Sequence, residues 1–196
     1  MKKTLYLMRH GQTRFNQLKK IQGACDSPLT DIGVAQAQLA KAYFTQNGIE
    51  FDAAYASTQE RASDTLELIT NQPYTRLKAL KEWDFGRFEG ESEALNPKPS
   101  AHNPHYDEFF VAYGGEAFVD VQTRMNLALH EIMQIETHQN VLAVSHGGAC
   151  YSFYLTRNTR ESLPERLSNC CILKYEYEDG NFKFIELITH DDAHLF

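Results

Sequence analysis

The sequence predicts an α/β fold in which a mainly parallel sheet carries helices on both faces. Apolar runs of strand length alternate with stretches whose apolar residues recur at helical spacing, the pattern of strands joined by crossover helices. Two of those runs, one from Leu5 and one from Asn140, stop abruptly on a histidine followed by glycine. Close to the end, Asp179-Gly180 reads as the turn of a terminal hairpin.

The first strand leads through Leu5-Tyr-Leu-Met into Arg9-His10-Gly11. Ligands of open α/β sheets bind beyond the carboxyl ends of the strands, and Gly11 permits a tight turn with close backbone approach there. Arg9 and His10 are thus expected at the floor of a pocket. A loop follows through Phe15, Asn16 and Gln22-Gly23 to Asp26-Ser-Pro-Leu29, with polar side chains available to line a cleft. Thr30 is the expected cap of a helix bearing Ile32, Ala35, Leu39, Ala40, Tyr43 and Phe44, which Asn47-Gly48 stops. Asp52 to Ala56 is a short strand, and Ser57 or Thr58 is expected to start a helix with Ala62, Thr65, Leu66 and Ile69 inward. Arg61 falls in its first turn, where the helix dipole opposes a cation unless an anion is also present. A bound phosphate would supply that anion; pairing of Arg61 with Glu60 or Asp64 on a wet surface is the alternative.

Strand-like residues resume at Thr75 to Leu77, and Leu80 to Gly90 then gathers acids, aromatics and glycines near a strand end. Residues 91–115 lose periodicity and carry Pro97, Pro99, Pro104, His102, His105 and four aromatics, which suits a lid or substrate loop. The longest helix presents Phe118, Val121, Met125, Leu129 and Ile132, and feeds the strand that ends in Ser145-His146-Gly147-Gly148. A short helix, a loop containing Pro164 and the hairpin complete the chain.

At 196 residues the chain is sized for one domain spanning 1–196, and 42% hydrophobic with 23% charged residues is ordinary globular usage. No apolar run approaches the roughly 20 residues that span a bilayer, and the apolar stretch after Met1 is too short for a secretory signal. A net charge of −7 argues against a general nucleic-acid surface, so the positive potential for an anionic ligand must be local. Cys25, Cys150, Cys170 and Cys171 show no framework spacing and read as reduced thiols of a cytoplasmic protein, with Cys170 and Cys171 on opposite faces of a strand.

The chain has no Gly-rich nucleotide loop and no nucleophile elbow around serine. What remains is two histidines, two arginines and an acid. A phosphate monoester is largely dianionic at neutral pH, and its transfer is catalysed by positioning and charge neutralisation, for which Arg9 and Arg61 are suited. A neutral imidazole can attack phosphorus and carry the phosphoryl group. His10 is the better nucleophile, His146 a donor to a phosphoryl oxygen, and Glu82 a proton donor to the leaving alkoxide if burial beside Trp83 or Phe85 holds its proton. Asp84 and Glu89 stand next for that role. Zinc on His10, His146 and Glu82, or an ion on His190, Asp191 and His194, is disfavoured, the first because two arginines would oppose the metal.

Arg9-His10-Gly11 with Thr13 and Asn16, Asp26-x-Pro-Leu-Thr30-x-x-Gly33, Ser57 with Arg61-Ala62, Glu82 with Phe85-Gly86 and Glu89-Gly90, and Ser145-His146-Gly147-Gly148 together resemble the histidine phosphatase superfamily. The resemblance implies a three-layer α/β/α sandwich with an insertion over the active site. It implies His10 as the phosphohistidine nucleophile, Arg9, Arg61 and His146 as the phosphate pocket, and Glu82 as the proton donor. Asn16 and Gln22, with Gly11, Gly23 and Gly147, are the implied substrate-binding positions. No metal and no cofactor are implied; the partner is a small phosphorylated metabolite, with a homodimer left open. Mutases of the superfamily follow the acid with Arg-His-Tyr-Gly, whereas Glu82 is followed by Trp83-Asp84-Phe85-Gly86, and residues 91–115 add only Lys98 as a cation. Phosphatase chemistry is therefore expected, with a mutase or a non-catalytic phospho-ligand binder as the alternatives.

Overall fold

The computed structural model describes residues 2–98, 108–159 and 167–190. The expectations placed on Pro99, His102, Pro104, His105, Tyr106, Pro164, Asp191 and His194 lie outside these residues.

Among the described residues six strands form one mixed sheet in the order β3-β2-β4-β1-β5-β6, comprising β1 (Lys3–Arg9), β2 (Ala53–Ser57), β3 (Thr75–Leu77), β4 (Asn140–Ser145), β5 (Ile172–Glu178) and β6 (Asn181–Ile188). β1, β4, β2 and β3 run parallel, while β5 lies antiparallel to β1 and turns into β6. That turn uses the residues expected of it, with φ of +51° at Asp179 and +78° at Gly180.

β1 is apolar without alternation because both of its faces are covered. Leu5 and Leu7 face one core with Val141, Ala143, Leu173 and the inward stripe of α4 (Phe118–Gln134), against which α5 (Gly147–Leu155) also packs. Tyr6 and Met8 face the other core with Ala54, Ala56, Leu142 and Val144, closed by α2 (Asp31–Gln46) and α3 (Glu60–Ile69). Two helices on each face make the expected three-layer sandwich. Among the described residues no helix is long and apolar enough to cross a membrane, and all four cysteines are free. Cys170 and Cys171 do face opposite cores, but Cys170 sits in a turn at φ +56° just before β5 rather than in a strand.

Three local readings need correction. The loop after β1 contains a short helix, α1 (Arg14–Gln17), because Thr13 and Asn16 close a capping box on one another's backbone. In α2 the expected cap Thr30 accepts from Gly33 N–H, and Ala40 and Phe44 are buried as expected, but Gly33, Gln36 and Ala37 complete the buried face while Ile32, Ala35, Leu39 and Tyr43 are only half-buried. The cause is close approach: a Cβ on Gly33 would lie 2.1 Å from the Gln12 carbonyl oxygen, and Gln36 Oε1 accepts the Gln12 N–H at 3.0 Å. Finally, α3 begins at Glu60 behind Gln59, since the Ser57 hydroxyl is used 3.2 Å from Gln59 N–H, ahead of the helix.

Candidate active site

Strand register brings the predicted residues together. Arg9 pairs with Ser145 and Ala56 with Val144, so β1, β4 and β2 end at one level of the sheet. His10 and His146, each the next residue along, stand with ring centroids 5.1 Å apart. Arg61, in the first turn of α3, reaches between them, its Nε–H directed at His10 Nε2 (3.3 Å) and His146 Nδ1 (3.1 Å). Both inward lone pairs thus face a guanidinium, an arrangement that suits an anion and opposes a zinc ion. Among the described residues no three His, Cys, Asp or Glu side chains are grouped to hold a metal.

These contacts set the tautomers. His10 Nδ1 lies 2.7 Å from the Gly11 carbonyl and can only donate to it, which leaves the lone pair on Nε2. His146 accepts at Nδ1, so its proton is on Nε2, and that buried N–H has no partner within the described protein. An unsatisfied buried donor is costly, and a phosphoryl oxygen is the kind of acceptor that would relieve it.

Burial, and then the charges of Arg61 and Arg9, hold the His10 imidazole well below its usual range; His146 is lowered by burial and then by Arg61 and His10. Both rings are neutral in the folded protein at pH values where an unfolded chain, titrating near 6.5, takes up protons. The unfolded state therefore binds more protons as pH falls, and the stability these rings support is lost towards acid, by at most about 1.4 kcal/mol per pH unit for each. His130, lowered by burial and Arg157, adds with the same sign. The melting temperature is expected to fall from pH 7 to 5.5, and a flat or rising profile in thermal melts would contradict buried neutral imidazoles.

Arg61 is fully buried, which removes the wet-surface alternative; Glu60 pairs with Arg76 instead. Within the protein, Asp26 already places an anion at this helix terminus beside Arg61. Asp26 accepts from Arg61 Nη1 at 2.9 Å and from the Glu60 N–H at 2.5 Å. Carbonyls of Cys25 and Gly23 take further guanidinium protons at 2.9 and 3.0 Å. Hence Gly23 acts through its carbonyl on Arg61, and Arg61 keeps little donor capacity for a ligand.

A cavity of about 250 Å³ opens beside this group, with Arg9, Asn16, Gln22, Glu82 and Gly147 in its wall. His10, at 3% exposure, and the fully buried Arg61 and His146 are not themselves part of that wall. Arg9 is steadied by the Leu167 carbonyl. Asn16 Oδ1 accepts from Thr13 N–H and Asn169 Nδ2, both at 3.2 Å, while Gln22 bridges Thr13 and Ser27. Gly11 does not need a positive φ; a Cβ there would meet the Gly33 carbonyl oxygen at 2.5 Å.

Glu82 caps α5. Its Oε1 accepts from the N–H groups of Ala149 (2.8 Å) and Trp83 (2.9 Å), and Oε2 from Gly148 (2.8 Å). One lone-pair position stays open, on Oε2, which marks the oxygen able to carry a proton. A Cβ on Gly148 would sit 2.7 Å from Oε1, so the second glycine after His146 is required by the acid. Glu89 is no rival: its two oxygens take four backbone N–H groups, from Gly23, Ala24, Cys25 and Phe85.

Sequence reasoning missed Asp26 as partner of Arg61, and it missed Lys20. The Lys20 side chain lines the cavity, with its ammonium 5.3 Å from the Phe15 ring centroid. It is brought there because Ile21 N–H bonds the Glu91 carbonyl and Glu93 N–H the Lys19 carbonyl, tying the loop to the start of the 91–115 insertion. The same pairing puts Glu93 and Asn96 in the wall. No local pattern signals such a bridge.

Comparison with known proteins supplies the family. A family model described as the histidine phosphatase superfamily (branch 1) matches residues 5–189. Over 186 residues the chain is 31% identical to a protein named "Probable phosphoglycerate mutase GpmB" from Proteus mirabilis, covering 90% of this chain and 86% of that one. It is similar in structure to a phosphoglycerate mutase from Bacillus anthracis (TM-score 0.83, 24% identity, 99% and 95% of the two chains). It is also similar to YhfR of Bacillus stearothermophilus (0.77, 28%, 93% and 95%) and to a phosphoserine phosphatase from Entamoeba histolytica solved with 3-phosphoglyceric acid (0.74, 24%, 97% and 98%). The match takes in both strand-end histidines, Arg61 and Glu82, and with so much of the chain covered this protein belongs to branch 1 of the histidine phosphatase superfamily.

Proposed function

We propose that the protein is a phosphatase that hydrolyses small phosphate monoesters through a phosphohistidine on His10. The observation that carries this reading is the assigned tautomer pair, a His10 lone pair on Nε2 beside a buried His146 Nε2–H that lacks an acceptor. In the first step the Nε2 lone pair bonds to phosphorus as the P–O ester bond breaks, and the departing oxygen takes the proton of Glu82 Oε2. In the second, water attacks the phosphohistidine, its proton passes to the Glu82 carboxylate, and inorganic phosphate leaves with Nε2 restored. Arg9 and the His146 N–H serve the phosphoryl oxygens in both steps, while Arg61, its donors largely engaged by the protein, contributes its positive charge.

A mutase is the second reading, favoured by Lys20 in the cavity wall, a cation that could hold a substrate carboxylate and that the sequence argument did not weigh. The names of similar proteins divide between mutases and phosphatases. Against it, Trp83 and Asp84 replace two cations after Glu82, and Glu93 in the same wall repels a second anionic group. Release of inorganic phosphate from a panel of monoesters, measured beside interconversion of phosphoglycerates, tests the choice. Hydrolysis with little interconversion is expected; efficient interconversion would establish the mutase, and tight binding without either reaction a phospho-ligand binder.

A further inference from the structure

We infer that Arg124, paired with Glu116, is a positioning residue for Glu82, and that it sets how well the acid protonates poor leaving groups. The inference rests on the reading of Glu82 as general acid.

The chain from Lys81 to Phe85 belongs to no helix or strand, so no ladder of backbone hydrogen bonds holds it. Its N–H and C=O groups must find partners elsewhere. Three of them, the carbonyls of Lys81 and Glu82 and the N–H of Asp84, are held by one guanidinium and one carboxylate. Arg124 Nη1 donates to the carbonyls of Ala79 (2.9 Å) and Lys81 (2.6 Å), and Nη2 to the carbonyl of Glu82 itself (3.0 Å). Glu116 grips the guanidinium with both oxygens at 2.9 Å and accepts the Asp84 N–H at 3.1 Å. Its own backbone completes the clamp: Glu116 N–H donates to the Asp84 carbonyl at 2.9 Å, and its carbonyl accepts Trp83 Nε1–H at 2.8 Å. On the other side the Glu82 N–H is held by Gln59 Oε1 at 2.8 Å.

The Glu82 peptide is thus fixed from α4, while its carboxylate is fixed from α5, so the two helices jointly set where Oε2 points. Arginine is required by the geometry, because its planar fork reaches three carbonyls and a carboxylate at once, and an ammonium cannot. Loss of the fork frees the main chain at Glu82. A displacement of about 1 Å at a reacting group can cost roughly 10²-fold.

Arg124→Lys keeps the positive charge and removes the fork. Single-turnover phosphorylation of His10 is measured with an alkyl phosphate and a nitrophenyl phosphate, in the wild type, Arg124→Lys, Glu82→Gln and the double variant, with vanadate inhibition as the readout of the phosphate pocket. The expected result for Arg124→Lys is a loss of about 10–100-fold on the alkyl ester, a loss of less than about threefold on the nitrophenyl ester, and unchanged vanadate inhibition. In the Glu82→Gln background the same substitution should add little. Equal losses on the two esters, or full additivity with Glu82→Gln, would make Arg124 a merely structural residue and overturn the inference. If Glu82→Gln itself shows no contrast between the esters, the acid reading fails instead, which is a separate outcome. Should Arg124→Lys not fold, Glu116→Gln, which weakens the grip on the same fork, must show the contrast or the inference falls.

Discussion

Quenching the enzyme in acid-free conditions during turnover of a labelled monoester is expected to trap phosphate on His10 Nε2, and His10→Ala is expected to lose turnover on the order of 10⁶-fold, the scale for removing a covalent nucleophile. The expectation follows from the ring's surroundings. Its Nδ1 proton is committed to the Gly11 carbonyl, so Nε2 is the nitrogen with a lone pair to give. Burial and the two guanidiniums keep the ring neutral, so the nucleophilic form persists below the pH at which a free histidine would be protonated. The guanidinium N–H that Nε2 faces at 3.3 Å lies at the long end for a hydrogen bond and must be released as phosphorus approaches. Label on His146 would reverse the assignment of the two rings, and normal turnover by His10→Ala would end it.

The parts of this site that were legible in the sequence are those a strand end dictates. An apolar run that stops on Arg9-His10-Gly11 and another that stops on Ser145-His146-Gly147-Gly148 announce two side chains at the same edge of one sheet, and register then does the rest. Helical spacing likewise located α4 and its buried stripe, because large apolar residues fill that face. In α2 the spacing finds Ala40 and Phe44 but not Gly33, Gln36 and Ala37, because the start of that helix is pressed against the Gln12 backbone and periodicity weighs hydrophobicity rather than approach. The anionic partner of Arg61 was sought among its helix neighbours, yet Asp26 comes from a loop 35 residues away. Lys20 entered the cavity through a bridge between two irregular segments. Long-range contacts between loops leave no period in a sequence, and that is where the rest of the site lies.

Glu82→Gln is expected to slow phosphoryl transfer to His10 by about 10²–10⁴-fold from an alkyl ester and far less from a nitrophenyl ester, because only the alkoxide needs a proton as it leaves. The substitution is not a pure deletion of acidity in this site. Oε1 accepts two backbone N–H groups, so the amide oxygen of a glutamine must take its place, which turns the NH₂ towards the Gly148 N–H that Oε2 now accepts at 2.8 Å. Two donors would then face each other at the start of α5, next to His146. This repulsion weakens the variant whatever the substrate, and in steady-state assays it would pass for a catalytic loss. It is common to both esters, however, and so cancels in the ratio of their single-turnover rates, where only proton donation to the leaving group survives. Single turnovers are needed for a second reason: hydrolysis of the phosphohistidine is shared by all substrates and would mask the contrast if it limited the cycle. A large drop in the alkyl-to-nitrophenyl rate ratio assigns the proton to Glu82. An unchanged ratio would take Glu82 out of the acid role, and the role could not pass to Glu89, whose two oxygens are already engaged by four backbone N–H groups.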